Sequence, residues 1–195
     1  SILLPTSFSA LATSATNVAI PHISGYFAAT DDEVKWVVTS YMIANACLIM
    51  LSGWLESLLG RKTFLKVSIS IFTLGAFICV AAPSLNVMVF GRFIQGIGGG
   101  PMTPMAQTIL LSAFPADKKG VAMSLFGLAV MVFAILGPSF GGFLVDNLSW
   151  QYIYSVNIPI GIVSLLLINK YIADTPHESK QQHIDFIGMT ALILW

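Results

Sequence analysis

Apolar residues run along this chain in long blocks, and brief polar interruptions separate one block from the next. The breaks read "AATDDEVK", "ESLLGRK", "APS", "PADKKG", "DNLSW" and "NKYIADTPHESKQQH". The blocks between them match helices that cross a bilayer, whose hydrocarbon core takes about 20 apolar residues. The pattern predicts spans at roughly 2–25, 34–54, 64–82, 85–113, 120–145 and 151–169, with a seventh beginning near 185. Short connections make consecutive spans antiparallel. The expected architecture is an all-α membrane bundle of six helices over residues 1–170, a cytoplasmic linker at 171–184, and the start of an additional transmembrane helix at 185–195. The first residue is not Met and the last block has barely begun at Trp195, so the chain reads as a fragment. "SILLPTSFSALA" also resembles a secretory signal core, but no basic segment precedes it and the apolar character continues, which favours a span.

Composition points the same way. Hydrophobic residues make up 56% of the chain and charged residues 9%, where a soluble domain carries roughly a quarter charged residues. Formal net charge is zero, so there is no basic field to recruit nucleic acid. Cys47 and Cys79 sit inside apolar blocks, where a thiol acts as a small hydrophobe. Basic loop residues stay on the cytoplasmic side of a membrane. Arg61, Lys62, Lys66, Lys118, Lys119, Lys170 and Lys180 fall on one side of the predicted layout and only Lys35 on the other, which puts the N-terminus inside. Trp36, Trp150 and Tyr152 then fall at the outer boundary, as an aromatic belt.

One stretch resists the apolar pattern. "GRFIQGIGGGPMTP", residues 91–104, holds an arginine, a glutamine and five glycines. The glycine order is not that of a phosphate-cradling loop, and no P-loop lysine follows. Gly96 and Gly100 instead form a G-x-x-x-G pair, and Gly137 and Gly141 form another, a spacing that lets helix backbones approach closely in a membrane. Pro138 removes a backbone N–H and predicts a kink against a neighbour that satisfies the freed carbonyl. Arg92 lies on the order of 10 Å inside the outer boundary, near the depth of Asn17. Gln95, at i+3, shares its face. Two readings of Arg92 stand: with Gln95 it lines a water-filled cavity, or it snorkels outward or ties carbonyls together structurally.

Other polar residues within the spans are Thr13, Asn17, Thr39, Tyr41 and Asn45. Each either lines a central cavity or hydrogen-bonds a neighbouring helix. Met102, Met105 and Phe126 are expected to pack against neighbours, His22 to sit at the interface, and Glu56 to pair with a basic loop residue. His177 and His183 have no carboxylate geometry to complete a metal site, so no metal is expected.

Several stretches together carry a resemblance: "NVAIPHISG", "GWLESLLGRK", "GRFIQGIGGGPMTP" and "GPSFGGFLVDNLSWQYIYSVNIPIG". Their order and sidedness resemble the major facilitator superfamily, in particular its fourteen-span multidrug and proton antiporters of the EmrB/QacA type. The resemblance implies the N-terminal six-helix bundle of that fold. By it, Gly53, Gly60, Arg61 and Lys62 match the loop motif that braces the two halves during rocking. Arg92, Gln95 and Gly96 match the fourth-span motif associated with proton coupling. Gly137, Pro138, Gly141 and Gly142 match the antiporter motif, and Asn157, Pro159 and Gly161 match the entry to the sixth span. It further implies a multi-pass protein of the inner membrane, driven by a proton gradient with no bound cofactor. Its partners would be the lipid bilayer, amphipathic organic substrates, protons and a C-terminal half, with a periplasmic adaptor and outer-membrane channel by analogy.

The chain departs from the pattern twice. Ala12 stands where the first-span motif carries an aspartate, and Ser57 stands at the acidic position of the loop motif, with Glu56 beside it. No other carboxylate lies clearly within the six spans, which points to a preference for neutral or anionic compounds with Arg92 as counter-ion. A membrane-embedded enzyme would need a cluster of His, Asp or Glu in its spans, and the spans offer none. A non-transporting sensor or assembly subunit on the same fold is the alternative that the departures favour.

Overall fold

The computed structural model describes residues 3–171. The expected linker and additional helix lie outside the described residues. Within them the chain folds into α1 (Leu3–Phe27), α2 (Asp31–Leu59), α3 (Arg61–Val80), α4 (Leu85–Gly99), α5 (Met102–Ala113), α6 (Lys119–Asn147), α7 (Gln151–Ser155) and α8 (Asn157–Tyr171). Among the described residues, four helical stretches are long and apolar enough to cross a membrane: Asp31–Leu59, Arg61–Val80, Ala116–Asn147 and Gln151–Lys170. α1 has the length, but Thr6, Ser7, Ser9, Thr13, Ser14, Thr16 and Asn17 dilute its apolar character.

The fourth span is not one helix, contrary to the block at 85–113. α4 has 15 residues and α5 has 12, and neither alone would cross. Pro101 and Pro104 carry no N–H, so the carbonyls of Ile97 and Gly100 lose their helical donors. Gly100 (φ −52°, ψ −53°) and Pro101 (φ −67°, ψ −21°) nevertheless keep right-handed dihedrals. The interruption is one of hydrogen bonding and the chain does not turn back. The sixth span is interrupted in the same way between α7 and α8, where Val156 keeps φ −63° and ψ −29°. Asn157 is buried there, and its Nδ2 donates to the Ile153 carbonyl at 3.0 Å. Pro159 removes the N–H that would have served Ser155.

Pro138 does not interrupt α6, which runs through it as a single element. Loss of the proline N–H frees the carbonyl of Ala134, and Ser14 Oγ on α1 donates to that oxygen at 2.9 Å.

Glycines fix how close the helices come. A Cβ on Gly96 would stand 2.5 Å from the Tyr41 carbonyl oxygen, and one on Gly100 2.5 Å from that of Asn45, so α4 rides on α2 along this pair. Gly137 and Gly141 meet Ser14 and Ala15 of α1 in the same manner. Gly161 brings α8 against Thr73 of α3. Gly53 and Gly142 make no such approach: nothing lies within 4 Å of a Cβ on the first, and the second reaches only ordinary contact with Val18. Gly60 has another duty. At φ 76° it closes the α2–α3 turn in a conformation that L side chains resist, while Arg61 Nε pairs with Glu56 Oε1 at 2.8 Å across the turn.

Two buried clusters form the core. One contains Ala15, Ile23, Val37, Cys79, Met88, Trp150 and Tyr154, and the other Tyr41, Phe64, Leu65, Phe72, Met102 and Met105. Trp150 is thus a core residue and not a belt residue. It is 4% exposed, with Tyr26, Phe27 and Tyr154 in ring contact around it, whereas Trp36 and Tyr152 do stand exposed.

Candidate functional site

A cavity of about 490 Å³ opens between α1, α2, α6 and the α4–α5 break. α1 builds one wall because Ser9, Thr13 and Asn17 recur every four residues and so fall on one helix face. Tyr41 and Asn45 face them from α2, and Gly99, Thr103, Val130 and Ala134 complete the wall. The lining includes no ionisable side chain other than the Tyr41 phenol. Several of its polar groups are already linked. Ser9 Oγ and Tyr41 OH lie 3.0 Å apart, Asn45 Nδ2 donates to Tyr41 OH at 3.4 Å, and Thr13 Oγ1 donates to the Ser9 carbonyl at 2.8 Å. Such a surface offers hydroxyl and amide groups to a ligand and no countercharge for a cation.

Thr13, Asn17, Tyr41 and Asn45 therefore come together on one wall. Thr39 does not join them: it is exposed and donates to the Lys35 carbonyl at 3.1 Å. Arg92 and Gln95 do share a face, but the expectation that both line the cavity fails in this structure. They are 1% and 0% exposed and lie among the helices, because the ring of Tyr41 covers the guanidinium. Arg92 Cζ is 4.4 Å from the Tyr41 ring centre and 5.5 Å from that of Tyr154. Its Nε donates to the Val37 carbonyl at 3.0 Å and its Nη1 to Gln95 Oε1 at 2.8 Å. Among the described residues it has no carboxylate partner, and Nη2 and Gln95 Nε2 have no hydrogen-bond partner. Two carbonyl-type acceptors and two aromatic faces offset much of the cost of burying this charge. One tyrosine thus has two sides, with its ring on a buried cation and its hydroxyl in the cavity.

Ala12, at the position of the departed aspartate, is 2% exposed. Its carbonyl accepts from Thr16 Oγ1 at 2.7 Å, and Thr16 Oγ1 lies 3.2 Å from Tyr154 OH. The position belongs to the buried layer around Tyr154 and Arg92, not to the cavity lining.

Several residues here escape the sequence reading. Ser9 and Ser14 continue polar rows on α1 whose spacing to Thr13 and Asn17 was visible. Gly75 and Gly98 form a tight α3–α4 seam, and Gly91 adds to it seven residues before Gly98, a spacing that returns to the same helix face. Nothing local marks Tyr154 as a partner of Arg92, since that contact joins helices far apart in sequence.

A helical membrane bundle with a polar cavity bounded by interrupted helices is the architecture of a small-molecule transporter. Comparison with known proteins agrees. Residues 2–185 match the Major Facilitator Superfamily, and the chain belongs to that family. It is 35% identical over 191 residues to the probable multidrug resistance protein EmrY of Escherichia coli strain K12, covering 98% of this chain and 37% of that protein. The multidrug export protein EmrB of Haemophilus influenzae is 35% identical over 98% of this chain and 38% of its own. The chain thus spans less than half the length of these relatives. Among solved structures, the proton:xylose symporter XylE bound to 6-bromo-6-deoxy-D-glucose superimposes with a TM-score of 0.78 at 17% identity, over 90% of this chain and 44% of that one. The chain is therefore part of a multi-pass membrane protein of all-α major facilitator fold.

Proposed function

We propose that the chain forms the first bundle of a secondary active exporter, which moves amphipathic organic compounds outward in exchange for protons by alternating access. A second bundle would close the cavity from the opposite side. The observation that carries this reading is the polar cavity on Thr13, Asn17, Tyr41 and Asn45 within an otherwise apolar bundle. The names of the multidrug relatives support the substrate class. The distribution of basic residues supports an N-terminus on the cytoplasmic side of the inner membrane.

The cavity lining also favours neutral or anionic compounds over lipophilic cations. It holds no carboxylate, and Arg92 behind Tyr41 is a positive charge without an acidic partner among the described residues. The test is transport by the full-length protein in proteoliposomes with an imposed pH gradient. Flux that follows the gradient and favours acidic or neutral compounds supports both parts. Placing a carboxylate in the lining by Asn17→Asp should shift preference toward a cationic dye, and no shift would sink the selectivity reading. Absence of gradient-dependent flux across a broad panel would instead favour a non-transporting role for this fold.

A further inference from the structure

We propose that Ser14 is a positioning residue for the α6 wall of the cavity. Its hydroxyl takes the place of the backbone N–H that Pro138 lacks and so registers α6 on α1 where the two helices come closest. In an α-helix the N–H of residue 138 would bond to the carbonyl of residue 134. Proline leaves that carbonyl open, and in a bilayer an open carbonyl must find another donor. Ser14 Oγ supplies it at 2.9 Å, from a residue more than a hundred positions away.

The surrounding geometry makes this bond specific. Gly137 and Gly141 flank the proline, and a Cβ at Gly137 would stand 2.5 Å from Ser14 Cβ, while one at Gly141 would stand 2.8 Å from Ala15 Cα. The glycines set the distance and the hydroxyl sets the register. α6 packs more extensively on α1 than on any other helix, and its outer flank, with Leu128, Met131 and Ile135, is exposed. Ser14 and Ala134 both line the cavity, so the bond stands on the wall that a transported molecule touches. Any change in the tilt of α6 on α1 must stretch or break it. Ser14 therefore acts on the rate of the conformational step through the position of α6.

A double-mutant cycle in the full-length protein tests this, using Ser14→Ala, Pro138→Ala and the pair. Alanine at position 138 restores an N–H for the Ala134 carbonyl, so Ser14 becomes dispensable in that background. With Pro138 present, Ser14→Ala should change maximal transport rate about fivefold, the scale of one net hydrogen bond, whatever it does to KM as a lining residue. With Pro138→Ala, the same substitution should change the rate less than about twofold. Equal effects in both backgrounds, or a shift in KM alone, would overturn the proposal. The rate readout rests on the exporter reading; thermal unfolding of the detergent-solubilised protein does not. Ser14→Ala should lower the melting temperature with Pro138 present and leave it unchanged with Pro138→Ala. If wild type transports nothing, the exporter reading fails, and this melting cycle still decides the fate of the Ser14–Pro138 pairing.

Discussion

Arg92 was legible as an anomaly long before its surroundings were, because a charge in the middle of an apolar block needs a reason whatever the fold. Its neighbours were only partly legible. Gln95 follows from helical spacing, whereas Val37, Tyr41 and Tyr154 reach it from other helices. A buried charge is a poor stabiliser, since an apolar side chain of similar volume often does as well or better. Arg92→Met is therefore expected to hold the melting temperature while transport falls about tenfold or more, the pattern of a charge kept for function. A parallel loss of stability and flux would make Arg92 a structural tie. Tyr41 separates its own two roles by substitution. Tyr41→Phe keeps the ring on the guanidinium but removes the hydroxyl that meets Ser9 and Asn45, so KM should rise severalfold at little cost in stability. Tyr41→Leu uncovers the charge as well and should lower both stability and transport. Equal behaviour of the two variants would show that the ring contact contributes nothing.

At the level of the helices, glycine spacing exposed two of the seams in advance, Gly96 with Gly100 and Gly137 with Gly141. It missed the α3–α4 seam because its glycines come from two elements. Gly75 would drive a Cβ to 2.5 Å from the Gln95 backbone nitrogen, and Gly98 would collide with the backbone of Ser68 and Phe72. No single-helix pattern displays that complementarity. Spacing also cannot tell a seam glycine from one facing open space, as Gly53 does. The two classes should separate cleanly on substitution. Gly98→Ala must push backbone against backbone and is expected to destabilise by about 1–3 kcal/mol or more, whereas Gly53→Ala should be neutral or slightly stabilising within its helix. Thermal unfolding of the two variants side by side checks this. A neutral Gly98→Ala would mean that α3 and α4 sit further apart than the structure has them.

For the molecule as a whole, the order of the helical blocks among the described residues was readable from hydropathy, because a bilayer demands long apolar segments. The interruptions at Gly100–Pro101 and Val156 were not, since they rest on prolines inside blocks that remain apolar throughout. They bear directly on topology. Had the chain turned back between α4 and α5, every later connection would change sides, and Lys118 and Lys119 would face away from Arg61 and Lys62. The right-handed dihedrals at Gly100 and Pro101 keep α4 and α5 in a single crossing, so the two basic groups share a side. The prediction can be read by labelling in intact cells, with Cys47 and Cys79 first replaced by alanine. A cysteine at Asp32, whose side chain is 93% exposed, should react with a membrane-impermeant maleimide from outside. A cysteine at Lys118, exposed in the turn before α6, should react only after permeabilisation. External labelling at Lys118 with protection at Asp32 would invert the orientation. External labelling at both would break the single-crossing argument for α4 and α5, and with it the placing of the α4–α5 break in the cavity wall.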